Sequence, residues 1–334
     1  MTDWRPTASP EALRLRARVF GAVRRFFEER GSLEVETPCI VASPGVDAWL
    51  DAPAVDLDGV RAFLATSPEY AMKRLLAAGS GPIHQIGPAF RAGEVGRLHE
   101  PQFTMVEWYE PGADDDGCMD TTEALVRTAA AVGDGHLTRG RVRCPVDVPF
   151  QRTTFRAVFQ EHTGVDPLDP DLARLGRLLR AAGVRPPGDS GAEDVLDLVL
   201  GAVIQPELGH EAPVFVTDWP TDRAALARLR PGRDPDRAIT AARFELYAAG
   251  VELCNGYHEL SDAEEQRTRI ENENRRRMEH GKEAYPVDER FLAALAHGLP
   301  DCAGNALGLD RLVMLVGGLP DVASSRAFPM QASP

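Results

Sequence analysis

Leu13, Ala17, Phe20, Val23 and Phe27 recur at helical spacing behind Ser9 and Pro10, and Gly31 follows, so the pattern predicts an amphipathic helix over residues 10–30. Leu33 to Thr37 alternates apolar and polar positions as a strand does, and Pro38, which cannot donate to a ladder, ends it. Residues 60–65 read as another strand, after which Thr66-Ser67-Pro68-Glu69 opens a helix reaching Ala78, with Gly79 as its stop. Ile83 to Ile86 is a short strand, a glycine-rich charged loop spans about 91–100, and Gln102 to Tyr109 alternates again. On this last strand Phe103, Met105, Glu107 and Tyr109 share one face, and a ring, a carboxylate and a phenol in line there suit a binding wall better than a core.

From Cys144 to Thr240 the chain carries helical patterns near 153–162, 171–182 and 191–203 and a strand at Val214 to Val216. A proline-, arginine- and aspartate-rich segment at 230–236 reads as a mobile surface loop. Arg243 to Tyr247 and Val251 to Gly256, joined by a turn at 248–250, form an antiparallel hairpin. Residues 262–280 read as a charged, solvated helix, and Gly304 to Val316 as a glycine-rich strand running into an apolar helix. Strands are too many for a βαβ alternation, so the expected class is α+β, a mainly antiparallel β-sheet flanked by helices.

With 334 residues, 43% of them apolar, the chain can bury a sizeable core, which excludes wholesale disorder. Lys and Arg number 37 against 51 Asp and Glu, a net charge of −14. That sign is wrong for a chain held on nucleic acid by broad phosphate neutralisation, while a local basic groove stays open. Five scattered cysteines, odd in number and never spaced CxxC, suggest neither a disulfide framework nor a zinc knuckle. No apolar leader follows Met1 and no apolar run could span a bilayer, so the expectation is a soluble cytoplasmic protein without a membrane partner.

Glu245, Glu252 and Glu259 recur every seven residues. An exposed helix face would give that spacing, but Gly250 and Gly256 interrupt it and Val251, Leu253 and Tyr257 would fall on mismatched faces. On a hairpin the first two carboxylates can converge, the arrangement that holds Mg²⁺ between protein and nucleotide phosphates. Neither GxxxxGK[ST] nor a GxGxxG after a strand is present, so a bound nucleotide would depend on arginines: Arg91 behind Phe90, Arg97 in the loop, and Arg311 behind Asp310. A lone loop arginine is usually solvent-exposed; Arg91 and Arg311 stand beside glycine-rich turns, each next to an apolar element.

Three segments, taken in order, resemble the motifs of class II aminoacyl-tRNA synthetases, the lysine-specific branch above all. They are the first helix with its strand and Pro38; Phe90-Arg91 with His99-Glu100-Pro101-Gln102-Phe103-Thr104-Met105-Val106-Glu107-Trp108-Tyr109; and Gly304-Asn305-Ala306-Leu307-Gly308-Leu309-Asp310-Arg311-Leu312. Thr66 to Glu69, Phe244-Glu245-Leu246 and Glu252 to Leu260 carry the same resemblance between them. With motif 1 at about 11–38, motif 2 at about 90–109 and motif 3 at about 304–316, residues 1–334 read as a single class II catalytic domain with no room for an N-terminal anticodon-reading OB-fold. Over nearly all of 4–328 the chain is similar to the stand-alone paralogues that modify elongation factor P.

The resemblance implies that lysine or (R)-β-lysine is activated with ATP and Mg²⁺ as an aminoacyl-adenylate and joined to a lysine ε-amine of elongation factor P. It also implies roles. Arg91 would bridge the substrate carboxylate and the α-phosphate, Arg311 would stack on adenine opposite Phe103 and reach the γ-phosphate, and Glu245 and Glu252 would hold Mg²⁺. Ala92, Gly93, Glu94, Arg97, His99, Glu100, Leu253 and Gly308 would complete the ATP site. Ser67, Pro68 and Glu69 would meet the amino group near the carboxylate, Tyr109 and Glu259 the distal ammonium with help from Glu107. Ala306, glycine in ordinary lysyl-tRNA synthetases, would exclude α-lysine, and residues 11–38 would build a homodimer.

The chain departs from the pattern in motif 2. Where relatives read Phe-Arg-x-Glu, Glu94 stands one place late and would serve adenine by a loop shift. Glu100 and Gln102 replace the Asn and Glu of His-Asn-Pro-Glu-Phe, and a carboxylate at Glu100 near phosphates would either repel ATP or recruit another Mg²⁺. Two other functions compete: a tRNA-aminoacylating enzyme that dispenses with the anticodon, disfavoured by the negative charge, and a non-catalytic regulatory subunit, disfavoured because Arg91, Glu245, Glu252, Glu259 and Arg311 are all present.

Overall fold

The structure, a computed structural model, describes residues 4–186, 191–236 and 238–330. The opening signals act as expected: Ser9 Oγ accepts the Ala12 N–H at 3.2 Å, α1 runs Pro10–Glu28, and Gly31 takes a φ of 70° that favours glycine. Next come β1 (Leu33–Glu34), β2 (Ile40–Val41), β3 (Ala54–Leu57), β4 (Val60–Leu64), α2 (Glu69–Ala77), β5 (Ile83–Phe90), β6 (Gln102–Pro111), α3 (Asp115–Ala130), β7 (His136–Arg139), β8 (Val142–Pro145) and β9 (Gln151–Thr154). Then follow α4 (Phe155–Thr163), α5 (Leu172–Ala181), α6 (Ala192–Val199), β10 (Val214–Trp219), β11 (Leu229–Pro231), β12 (Ile239–Ala248), β13 (Val251–His258), α7 (Ala263–Glu279), α8 (Glu289–Gly298), β14 (Cys302–Gly308) and α9 (Leu309–Val316).

The main sheet has nine strands in the order β1-β5-β6-β14-β13-β12-β10-β9, with β11 on β12. Only the outer additions, β1 on β5 and β9 on β10, are parallel, so the expected mainly antiparallel α+β architecture is what forms. One sheet face, through Val106, Trp108, Phe244, Leu246 and Leu307, packs on Val23 and Phe27 of α1, Leu125 of α3 and Val313 of α9. On the other face Tyr109 joins Met72, Ile270 and Phe291 from α2, α7 and α8. Helices α4 to α6 close a separate core around Phe159, Leu179 and Leu196. No helix among the described residues is long and apolar enough to cross a membrane.

The hairpin turns at Ala249 and Gly250, with φ of 50° and 71°, the doubly left-handed geometry that matches strand twist. A Cβ on Gly250 would lie 2.7 Å from the Pro206 carbonyl oxygen.

Two sequence expectations need correction. Residues 230–236 are not a mobile surface loop: β11 pairs with β12, Arg230 reaches Asp115 at 2.6 Å, and Arg233 reaches Asp218 at 2.8 Å, both carboxylates being buried. Charges that read as solvated are paired across the fold. Helix 262–280 is not solvated throughout either, because Gln266, Ile270, Asn274 and Arg277 form a buried stripe along α7. The strand expected at 33–37 pairs only at Leu33–Glu34, and the pattern reading passed over α3, α8, β3 and the β7–β8 hairpin altogether.

Arg277 organises that stripe. Its guanidinium stacks 3.9 Å from the Tyr285 ring and donates to the carbonyls of Asp47, Leu50 and Glu283 at 2.8, 2.7 and 2.9 Å, tying the loop before β3 to α7. Arg277→Ala would leave these carbonyls without their donor, each such loss being worth about 1–3 kcal/mol. Urea unfolding should therefore show a loss of about 3 kcal/mol or more.

Candidate active site

Strand register gathers residues far apart in the chain into rows across four strands. Glu107 lies opposite Ala306, Ala306 opposite Asn255, and Asn255 opposite Glu245; the next row is Tyr109, Gly304, Tyr257 and Arg243. Directly paired residues share a sheet face, so both rows point to the same side. Over this face opens a cavity of about 980 Å³, with Ser67, Pro68 and Glu69 at one end and Arg91, Phe103 and Arg311 at the other.

At the acidic end Glu107 and Glu259 are buried. Glu107 Oε1 accepts the Tyr109 hydroxyl at 2.7 Å and its Oε2 accepts the Ser67 hydroxyl at 2.8 Å, while Ser67 Oγ accepts the Glu69 N–H at 3.0 Å. Glu107, Tyr109 and Glu259 sit behind the cavity wall rather than on it. Glu259 does not bond Tyr109; it pairs with Lys73, whose Nζ lies 2.5 Å from Glu259 Oε2 and 2.7 Å from Glu69 Oε1. Gly304 makes this packing possible, since a Cβ there would fall 2.6 Å from Glu259 Oε1 and closer still to the Tyr109 ring.

At the other end the Arg91 guanidinium stands 5.0 Å over the Phe103 ring, with Glu94 at 3.8 Å. Arg311, rather than facing Phe103, donates to the Leu98 and Glu252 carbonyls at 3.2 and 2.8 Å and to His99 Nε2 at 2.8 Å. His99 must be unprotonated to accept that bond, and burial followed by the charge of Arg311 lowers its pKa accordingly. Glu100 is buried and accepts the Met330 N–H at 2.9 Å. Glu94, Leu253, Ala306 and Gly308 line the cavity, whereas Ala92, Gly93 and Arg97 do not. Arg97 instead donates to the Pro320 carbonyl at 3.0 Å, and the Ala92 N–H to the Asp51 carbonyl at 2.6 Å.

Glu245 and Glu252 both line the cavity. Glu245 accepts from Arg243 at 2.5 Å and from the Tyr247 hydroxyl, and Glu252 lies at the rim, 3.5 Å from Arg311. Among the described residues no group of three His, Cys, Asp or Glu side chains gathers as a self-sufficient metal site. Two carboxylates fit Mg²⁺ only as an ion that brings most of its oxygen ligands from water and nucleotide phosphates.

Several residues of the site were not singled out by sequence reasoning: Lys73, Arg243, Tyr247, Gly304 and Tyr257. Lys73 follows Glu69 by four residues, a spacing that normally marks a surface ion pair. Arg243 and Tyr247 flank Glu245 at two-residue steps, which on a strand is a same-face signal available once the hairpin is assigned.

The family of class II tRNA synthetases (D, K and N) matches residues 1–332, and the chain belongs to it. The elongation factor P–(R)-β-lysine ligase of Vibrio parahaemolyticus is 39% identical over 336 residues that span 98% of each chain. Proteins of the same description from Proteus mirabilis and Klebsiella pneumoniae are also 39% identical, over 339 and 333 residues.

Burial pushes Glu107 and Glu245 up to about 7 and Glu259 up to about 8, the last despite Lys73. Burial opposes the Lys73 charge too, but the pull of Glu259 and Glu69 outweighs it and raises the ammonium above its ordinary range. The three acids hold protons in the folded chain that the unfolded chain has already released above its carboxylate pKa of about 4.5. Stability is therefore greatest below that value and falls as pH rises through 7 to 8. The melting temperature of the ligand-free protein should drop between pH 5 and 8.5, and Glu107→Gln, uncharged throughout, should flatten the decline.

Proposed function

We propose that the chain is an ATP-dependent ligase that activates (R)-β-lysine as an adenylate and transfers it to a lysine ε-amine of elongation factor P. The observation that carries the reading is one cavity lined by Glu69, Arg91 and Arg311, with the buried acids Glu107 and Glu259 just behind its wall, bonded to Ser67 and paired with Lys73 respectively. The relatives, elongation factor P–(R)-β-lysine ligases, support the substrate and the acceptor.

The substrate carboxylate attacks the α-phosphorus of ATP, pyrophosphate leaves, and the acceptor amine then displaces AMP from the acyl carbon. Such displacements depend on positioning and on neutralising spreading negative charge. Arg91 neutralises the carboxylate and α-phosphate, and its planar fork suits both. Arg311 exchanges its bonds to Leu98 and His99 for adenine and the γ-phosphate. Glu245 and Glu252 would hold Mg²⁺, which would supply charge to the phosphates. Glu69 takes the amino group nearer the carboxylate, while Glu259 and Glu107 take the distal ammonium. Exposed apolar Leu33 and Ile40 in the motif 1 region support a homodimer there, and the cytoplasm, where ATP and elongation factor P are found, is its compartment.

Amino-acid-dependent exchange of pyrophosphate into ATP tests activation, and charging of elongation factor P against tRNA tests the acceptor; labelling of tRNA alone would favour the synthetase reading. Arg91→Ala should lower exchange by about two orders of magnitude, as loss of a transition-state charge partner does.

Ala306 sits in the row between Glu107 and Asn255 with its methyl on the cavity wall. There it takes space from an amino group on an α-carbon, which a β-amino acid carries one carbon further on. Ala306→Gly should move kcat/KM toward α-lysine by about 10- to 200-fold relative to (R)-β-lysine, with little change in ATP use. An unchanged ratio would locate the filter elsewhere.

A further inference from the structure

We propose that Lys73 is a specificity-determining positioning residue: its ammonium, fixed between Glu69 and Glu259, cancels one of three clustered carboxylates, Glu69 on the cavity wall and the buried Glu107 and Glu259, and leaves two for a substrate that carries two ammonium groups. The inference rests on the lysine-ligase reading above.

Lys73 is fully buried one turn after Glu69 on α2. Its charge is felt by Glu107 of β6, Glu259 just past β13, Tyr70 of α2 and Cys302 of β14, the Phe291 ring of α8 lies 6.0 Å from its Nζ, and Tyr109 and Tyr257 adjoin the acids. Arg228, on the far side, is engaged with the Glu259 carbonyl at 3.2 Å and Asp301 at 2.6 Å. The cluster thus holds three acids and one committed ammonium. Glu259 Oε2, 2.5 Å from the Lys73 ammonium, has no further hydrogen-bond donor among the described residues.

The charge count sets selectivity. With Lys73 present and all three acids ionised the cluster carries −2, which a diammonium amino acid neutralises. An amino acid with one ammonium leaves a buried carboxylate to be protonated or unpaired, either of which disfavours binding. Without Lys73 the cluster would carry −3, and one acid would hold a proton even with the substrate bound. Burial already raises Glu107 and Glu259, so the empty site carries protons near neutrality that the substrate must displace, and affinity rises with pH through 7 to 8. Removing the ammonium raises these acids further and moves that limb upward.

Lys73→Met, similar in length and uncharged, and Lys73→Arg should be compared with the unaltered enzyme in pyrophosphate exchange across pH 6–9.5, with lysine, (R)-β-lysine and norleucine. The methionine variant should show an amino-acid KM raised by about tenfold or more at pH 7, an ATP KM within about twofold, an acid limb shifted upward by about one pH unit and weaker discrimination against norleucine. Arginine should restore most of the limb. An unmoved limb with unchanged amino-acid KM would overturn the proposal, as would a parallel rise in both KM values with the limb unmoved, the mark of a purely structural lysine. Should the methionine variant not fold, calorimetry of lysine binding to the unaltered enzyme in buffers of differing ionisation enthalpy decides: proton release near pH 7 supports the proposal and its absence overturns it. Failure of the ligase reading would show separately, as no amino-acid-dependent exchange by the unaltered chain.

Discussion

Carboxylates resist being taken out of water, and this fold takes several of them beneath a single sheet face. Glu107, Glu245 and Glu259 are all buried. Each is accommodated by a different device: hydroxyls for Glu107, a guanidinium and a phenol for Glu245, an ammonium for Glu259. None of these partners is spare. Their own positions require Arg243 against Trp219 at 4.1 Å, Lys73 sealed under α8, and Tyr109 in the space a glycine leaves free. The packing of the surrounding helices follows from the need to keep those acids both dry and partnered.

The sheet register is what lets the two ends of the cavity belong to one site. Antiparallel pairing puts Glu107, Ala306, Asn255 and Glu245 side by side without any loop having to carry them, so their spacing is fixed by strand separation. The nucleotide end is built otherwise. Arg91 and Arg311 are held by stacking and by carbonyls of the motif 2 segment, contacts that a ligand can exchange for its own.

The hairpin, the wall strand with Glu107 and Tyr109, and the final strand and helix were legible because each carries a local period and a stop. The resemblance then supplied roles that no period contains. Lys73 was not legible: Glu69 and Lys73 read as a surface pair, and only the tertiary position of Glu259 turns that pair inward. The segment 230–236 failed for the related reason that Asp115 and Asp218, which pair its arginines, come from elements far away in sequence. Helix α3 lies under the sheet with its Asp115-Asp116-Gly117 start masking an apolar face that the chain does not reveal until Cys118 and Met119.

Because each position of the Glu107–Ala306–Asn255–Glu245 row comes from a different strand, a substitution at one leaves the backbone of the other three untouched. The row is spelled one letter per strand, each letter touching only its neighbours. A lineage can trial a new amino-acid preference by single exchanges at Glu107 or Ala306, without the compensating loop insertions that a pocket assembled from connecting segments would demand, and leave Glu245 and the nucleotide machinery as they were.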